Sequence, residues 1–309
     1  MQIAKNNRKV VLITGCSSGL GRSLAETLIR SDCYRVVVTS RVRSFDKLRQ
    51  LFPENENTLL LPLDVTLESD ISTVINEVCR HFGRIDVLIN NAGVCYRSVV
   101  EHMDTTSEDV QMRTNFFGPV NLMKSVLPIM REQRSGHIVN ISSVSGMVSM
   151  PTMASYSASK HALEGVSEAL WYECRPYGIH VSIVQPGFIN SPSFQNVLLS
   201  RKAQLSYELR GPHSEYYDSM TPFIEKLMNY SFTRPESIAR KVHKILQMKN
   251  PPLRTKVTMD AILFGIVKRL IPGFLFHKLM FYFLPRSQHW GNKMGSEGRI
   301  PRAHGGNGI

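Results

Sequence analysis

The sequence predicts an α/β fold, a doubly wound parallel sheet flanked by helices, carrying a helical lid and a basic C-terminal helical extension. Three observations predict it. Residues 9–15 form a short apolar run that ends in a glycine-rich turn. Further apolar runs of strand length follow, separated by stretches with helical spacing of Leu, Ile and Val. The chain has 309 residues, 42% hydrophobic and 20% charged, which is enough for a sizeable core and ordinary for a globular protein.

The first run is buried in character and leads into Gly15-Cys-Ser-Ser-Gly19-Leu-Gly21, after which Leu24, Ala25, Leu28 and Ile29 recur at helical spacing. A strand, a glycine turn and a helix N-terminus present backbone N–H groups to a phosphate, and the glycines let the main chain approach it closely. Residues 34–41 read as the second strand and end in Ser40-Arg41. In such sheets an acidic residue there binds a ribose 2′-hydroxyl, whereas an arginine suits a 2′-phosphate. Arg41 therefore predicts NADP over NAD, with Ser17 assisting; the competing reading is a solvated surface arginine.

Residues 58–65 read as strand three. Asp64 at its exit either accepts from an adenine amino group or caps the helix that begins near Glu68. Residues 85–93 read as strand four, whose carboxyl end is expected beside strand one, where the sheet order reverses and ligands bind. A helical region over about 106–131 contains Asn115, an unfavourable residue in mid-helix. Residues 136–143 read as a strand ending at Ser142 and Ser143, and helical character begins near Ser155. Residues 180–187 are strand six, ending in Pro186-Gly187.

Tyr156 and Lys160 lie one turn apart on one helix face. A tyrosine of pKa about 10 is a poor base at neutral pH, and a neighbouring ammonium favours its phenolate. A hydroxyl such as that of Ser143 is placed to bond a substrate oxygen. Together these groups pass a proton to or from an alcohol while a cofactor handles the hydride.

The formal charge is +12, and residues 240–309 account for +11 of it through 13 Lys or Arg against Asp260 and Glu297. The basicity belongs to the C-terminal part. The five cysteines are widely spaced, with no Cys-x-x-Cys, which predicts neither a metal site nor a disulfide framework and favours a reducing compartment. The apolar run at Val10–Ile13 is too short for a signal peptide. A cytoplasmic protein, peripheral on a membrane, is expected.

Thr14-Gly15-x-x-x-Gly19-x-Gly21, Asn90-Asn91-Ala92-Gly93, Asn115, Ser143, Tyr156-x-x-x-Lys160 and Pro186-Gly187 stand in one order. In this the chain resembles the short-chain dehydrogenase/reductase family, in its Rossmann-only form, over about residues 8–250. The resemblance implies Tyr156 as general acid/base and Lys160 as the cation that lowers its pKa and binds the nicotinamide ribose. It implies Ser143, in preference to Ser142, as the group orienting the substrate oxygen. Asn115 would break its helix locally and hold a water in a proton relay through Lys160. Gly15, Gly19, Leu20 and Gly21 are implied on the pyrophosphate side. Asp64, Val65, Asn91, Ala92 and Gly93 are implied on the adenosine side. Pro186, Gly187, Ile189 and Ser191 are implied at the nicotinamide, Ser191 standing where the family often has Thr. A homo-oligomer is also implied.

The segment 188–232 is rich in aromatics and Met, including Phe188, Phe194, Tyr207, Tyr217, Met220, Phe223 and Met228. It reads as a substrate lid and equally as a helical pair packed on a domain of residues 1–260. Its apolar character predicts a lipophilic carbonyl or alcohol such as a steroid or retinoid, and the layout is similar to the retinol and 17β-hydroxysteroid dehydrogenase branch. Residues 261–309 form the extension. Lys268, Arg269 and Lys278 exclude a simple transmembrane span. Two short basic helices broken at Pro272-Gly273 are expected, either in a membrane interface or covering the cleft or a dimer face. Residues 291–309 are expected to fray. No nucleic-acid recognition motif is present. The competing functions are a non-catalytic nucleotide sensor and a membrane-surface lipid-binding protein on the same fold.

Overall fold

A computed structural model describes residues 8–191 and 198–291. The first half is built of β1 (Lys9–Ile13), α1 (Gly19–Arg30), β2 (Tyr34–Ser40), α2 (Phe45–Leu51), β3 (Thr58–Pro62), α3 (Glu68–Phe82) and β4 (Val87–Asn90). A two-residue strand, β5 (Tyr96–Arg97), precedes α4 (Thr105–Met112), a π-helical turn at Arg113–Phe117 and α5 (Gly118–Glu132). Next come β6 (Gly136–Ile141), α6 (Ala154–Cys174) and β7 (Ile179–Gln185).

Beyond β7 lie β8 (Leu198–Leu199), α7 (Arg201–Glu208), α8 (Ser214–Asn229), α9 (Pro235–Gln247), β9 (Arg254–Lys256), α10 (Met259–Leu270) and α11 (Gly273–Phe283). The main sheet runs β3-β2-β1-β4-β6-β7-β9 and is parallel throughout. Strand order reverses between β1 and β4, as the sequence predicts. β5 and β8 pair separately.

The alternation of side chains along β1 shows why both faces are covered. Val11 and Ile13 pack with Leu24 and Leu28 of α1 and Ile238 and Val242 of α9. Val10 and Leu12 pack with Val74 and Val78 of α3, Leu122 and Val126 of α5, and Leu170 of α6. Both sides of each central strand are therefore apolar, which is what a buried parallel strand requires.

The segment after β7 forms a helical layer packed on the domain, as the second reading of it expects. Met220, Ile224 and Met228 of α8 pack against Met150, Met153, Phe188, Leu284 and Trp290. Phe194 lies outside the described residues. α10 and α11 are separate helices that meet around Pro272, as expected, and they expose Leu263, Leu270, Phe274 and Phe283 by 61%, 74%, 73% and 77%. Among the described residues no helix is long and apolar enough to cross a membrane. Residues 292–309, most of the segment expected to fray, lie outside the described part.

Candidate active site

The turn between β1 and α1 is shaped by backbone requirements. Gly15 has φ +73, and a Cβ there would sit 2.9 Å from the Ala92 Cα. At Gly21 a Cβ would lie 2.1 Å from the Gly15 oxygen, so the helix can approach its own loop only without a side chain. Ser18 stands at the N-cap in extended conformation and makes no side-chain cap. The first N–H groups of α1 are thus left to a ligand. Asn91 Nδ2 donates to the Thr14 and Gly15 oxygens at 2.9 and 3.2 Å, and Thr14 Oγ1 accepts from the Asn91 and Ala92 amides at 3.0 Å. Asn91 therefore locks the glycine turn onto the end of β4.

One cavity of about 370 Å³ collects nearly all the expected positions. Gly15, Ser17, Gly19, Leu20, Gly21, Arg41, Asp64, Val65, Asn91, Ala92 and Gly93 line one part, and Ser143, Tyr156, Lys160, Pro186, Gly187 and Ile189 another. Arg41 is exposed at the exit of β2, and partial desolvation followed by the Arg43 charge hold its pKa below the ordinary arginine value. Asp64 Oδ1 accepts from the Thr66 amide and hydroxyl at 3.0 and 2.7 Å. The helix-cap alternative for Asp64 is not realised: Leu67 is the N-cap of α3. Ser191 is 1% exposed, and its Oγ has no partner among the described residues. These unfilled donors and acceptors fit a dinucleotide: helix N–H groups for the pyrophosphate and the Ser191 hydroxyl for a carboxamide.

The reacting end is built on α6. Ser143 shares the cavity wall with Tyr156 and acts on its phenol as a hydrogen-bonding neighbour, and its Oγ accepts the Ser145 amide at 3.1 Å. Lys160 Nζ donates to the Ile141 oxygen at 2.9 Å and lies 5.8 Å from the Tyr156 ring centroid. One expectation is corrected here: the Tyr156 phenol is pushed up, not down. Burial outweighs every other influence, Cys95 adds to it, and only the Ser143 bond opposes it. The same burial pushes the Lys160 ammonium down to about 8, against the opposing pull of Cys95 and Glu164.

Asn115 lies in the π-helical turn and is fully buried. Its Oδ1 accepts from the Val94 amide at 2.9 Å, and its Nδ2 donates to the Val94 oxygen and to Ser159 Oγ at 2.8 and 3.1 Å. The amide pairs with the backbone past β4 as a strand neighbour does, and the helix break follows from that demand. Ser142 is committed elsewhere, donating to Glu164 Oε1 at 2.7 Å.

Three features lay outside the sequence reading. Glu164, one turn past Lys160, accepts from Ser142, from Gln185 Nε2 at 2.8 Å and from Arg254 Nε at 3.3 Å. At the start of α10, Thr258 Oγ1 accepts the Gly187 amide at 2.8 Å and Asp260 Oδ2 accepts the Phe188 amide at 2.7 Å. Arg97 lines the cavity at 2% exposure beside Met150, Met153 and Met228. Glu164 had a readable signal, an acidic residue on the Tyr156–Lys160 helix face; the other two arise from long-range packing. Among the described residues no group of three or more His, Cys, Asp or Glu is placed to hold a metal ion.

Residues 9–202 match the short chain dehydrogenase family. A 3-ketodihydrosphingosine reductase of Bacteroides thetaiotaomicron is 38% identical over 270 residues, covering 85% of this chain and 93% of the relative. Retinol dehydrogenase 8 of Bos taurus is 32% identical over 255 residues, covering 80% and 81%. A crystal structure of a short-chain dehydrogenase from Streptomyces avermitilis superimposes with TM-score 0.73 at 30% identity, covering 94% of this chain and 99% of that one. The parallel sheet, the glycine turn and the matched sequence agree, and the chain belongs to the short-chain dehydrogenase/reductase family of NAD(P)-dependent oxidoreductases.

Proposed function

We propose that this enzyme interconverts a lipophilic carbonyl and its alcohol with NADP(H), Tyr156 acting as general acid/base. The observation that carries the reading is the placement of Ser143, Tyr156 and buried Lys160 on the wall of one cavity that is also lined by Met150, Met153, Phe188, Ile224 and Met228. The relatives named as a ketodihydrosphingosine reductase and a retinol dehydrogenase support a lipophilic substrate.

When bound, the nicotinamide supplies or accepts a hydride. The chain's own residues do the rest. Gly15, Gly19, Leu20 and Gly21 hold the pyrophosphate side. Arg41 with Ser17 favours a 2′-phosphate, which a carboxylate at the end of β2 would repel. Asp64, Val65, Asn91, Ala92 and Gly93 bound the adenosine side, and Pro186, Gly187, Ile189 and Ser191 the carboxamide side. In reduction Tyr156 Oη gives its proton to the substrate oxygen while Ser143 Oγ orients that oxygen. A phenol pushed up by burial is protonated at neutral pH, as a proton donor must be. Lys160 stabilises the phenolate as it forms, and Asn115 holds the wall that carries Ser159 and Val94. The exposed apolar faces of α10 and α11, with Lys268, Arg269 and Lys278 among them, suit an anionic membrane interface.

The test is oxidation of NADPH and of NADH with steroid ketones, retinal, long-chain ketones and small polar carbonyls, using Tyr156→Phe as control. Turnover of a lipophilic class with NADPH, lost in the variant, supports the whole reading. Preference for NADH would sink the Arg41 assignment. Tight NADPH binding without turnover of any carbonyl would favour a nucleotide sensor.

A further inference from the structure

Arg97 is the one feature of the cavity that a purely lipophilic substrate leaves without a purpose. It sits on β5, 2% exposed, in the cavity that Met150, Met153, Ile224, Leu198 and Met228 also line. Its Nε and Nη2 both donate to the neutral Thr152 Oγ1, at 3.4 and 3.0 Å. A guanidinium has five N–H donors in a planar fork, and among the described residues the hydrogen bonds of Arg97 engage only that one edge. Among the described residues no carboxylate stands within ion-pair range of it. Glu225, exposed on α8, acts on it only through its field, as do Cys95 and Tyr217. Burial pulls the Arg97 pKa below the ordinary value, as expected for a desolvated cation without a counterion.

A buried charge is normally paired, because leaving it unpaired is costly. Holding Thr152 does not explain the charge, since a neutral donor would serve that hydroxyl. The guanidinium fork matches a carboxylate or phosphate in a way an ammonium does not. We propose that Arg97 is an anion-recognition site of the substrate pocket, so that the substrate is a lipophilic carbonyl or alcohol bearing a carboxylate or phosphate group. The proposal rests on the carbonyl–alcohol reading above and narrows it. The apolar wall takes the hydrocarbon, and Arg97 orients the chain by its anionic end. Neutral steroids and retinoids then become poor substrates.

The experiment compares matched long-chain ketones ending in a carboxylate, a phosphate monoester, a methyl ester or a primary amine, with NADPH and the full chain. The wild type is expected to favour an anionic ketone over the ester by about 10-fold or more in kcat/KM, the yield of one charged hydrogen-bonded pair, with the amine lowest. The higher of the two anionic arms identifies the group. Arg97→Met is expected to erase the ratio of anion to ester, and Arg97→Lys to keep part of it. Equal kcat/KM for anion and ester in the wild type overturns the proposal, as does a ratio unchanged in Arg97→Met. Should that variant fail to fold, the wild-type ratio alone decides. If no ketone turns over, the reductase reading fails by itself. Calorimetric binding of a long-chain alkyl carboxylate against its methyl ester to the NADPH complex then decides on Arg97: preference for the carboxylate upholds it, and equal binding overturns it.

Discussion

Tyr156 and Lys160 share one face of α6, and burial sets the charge that each carries. Tyr156→Phe keeps the ring that packs and removes the hydroxyl proposed to transfer a proton. Turnover is expected to fall by about 10²–10⁴-fold with NADPH affinity retained, as steady-state kinetics and fluorescence titration would show; a fully active Phe variant would end the assignment. Lys160 supplies the pH signature. Its ammonium titrates at about 8, and the phenolate needs that cation. The rate of carbonyl reduction is therefore expected to be level at neutral pH and to decline as pH rises through about 8. A profile flat to pH 10, the ordinary range of a lysine, would show that Lys160 stays charged well above pH 8. The same shift bears on stability with the opposite sense: the fold is penalised while Lys160 is charged, and the penalty eases as pH climbs from about 8 towards 10.5.

Strands β1, β2, β3, β4, β6 and β7 were readable because each is an apolar run of useful length. β9 was not: Arg254–Lys256 is a polar edge strand behind Pro251 and Pro252, without an apolar run. The pairs β5 and β8 are two residues each, too short to carry a pattern. The π-helical turn was readable as an anomaly, because an Asn in mid-helix needs a reason. Its partner, the Val94 backbone, was not. Asn115→Ala would orphan the Val94 N–H and C=O, at a cost of about 1–3 kcal/mol per buried group. A drop in melting temperature together with lower kcat is expected; unchanged stability would mean that the Val94 contacts are dispensable.

A second element effect concerns β6 and β7. His137 is buried between them, bonded to Ser182 Oγ at 3.0 Å, and burial, with His180 and Lys9 nearby, pushes its pKa to about 3. A histidine lowered in the folded state lets the unfolded chain take up protons first. Stability is thus expected to fall as pH drops from about 6.5 towards 3. In His137→Leu, Ser182 keeps its bond to the Pro252 oxygen, and urea midpoints measured between pH 7 and 4.5 should fall less steeply than in the wild type. Parallel declines would show that carboxylates, not His137, set acid stability.

At the scale of the whole molecule, the concentration of charge in residues 240–309 already marked the C-terminal part as a separate surface, and the break at Pro272 was visible as well. What the sequence hid is how firmly this part is tied in. Phe276 is buried, Trp290 Nε1 donates to Ser219 Oγ at 3.0 Å, and β9 is a strand of the main sheet. Cutting the chain at Asn250 would therefore remove sheet as well as surface. Substitution is the cleaner test of membrane binding. Leu270→Ser, Phe274→Ser and Phe283→Ser together should lower sedimentation with mixed phosphatidylcholine–phosphatidylserine vesicles and leave NADPH turnover of a soluble ketone intact. Equal sedimentation of variant and wild type would remove these helices from any membrane role.

The Thr258 and Asp260 side chains tie the Pro186–Ser191 turn to the start of α10. Asp260→Ala is expected to weaken NADPH binding by about 5- to 30-fold, the loss of about 1–2 kcal/mol from one ionic hydrogen bond. Asp260→Asn keeps an acceptor for the Phe188 amide and should bind nearly as the wild type does; equal affinity in all three proteins would show the turn to be held by packing alone. A loss of affinity in Asp260→Ala would make the helices and the dinucleotide linked functions in the thermodynamic sense. A ligand of α10 and α11 that changed nucleotide affinity would have its own affinity changed by nucleotide by the same factor. On such an enzyme the fraction of cofactor bound would report on any surface that α10 and α11 engage.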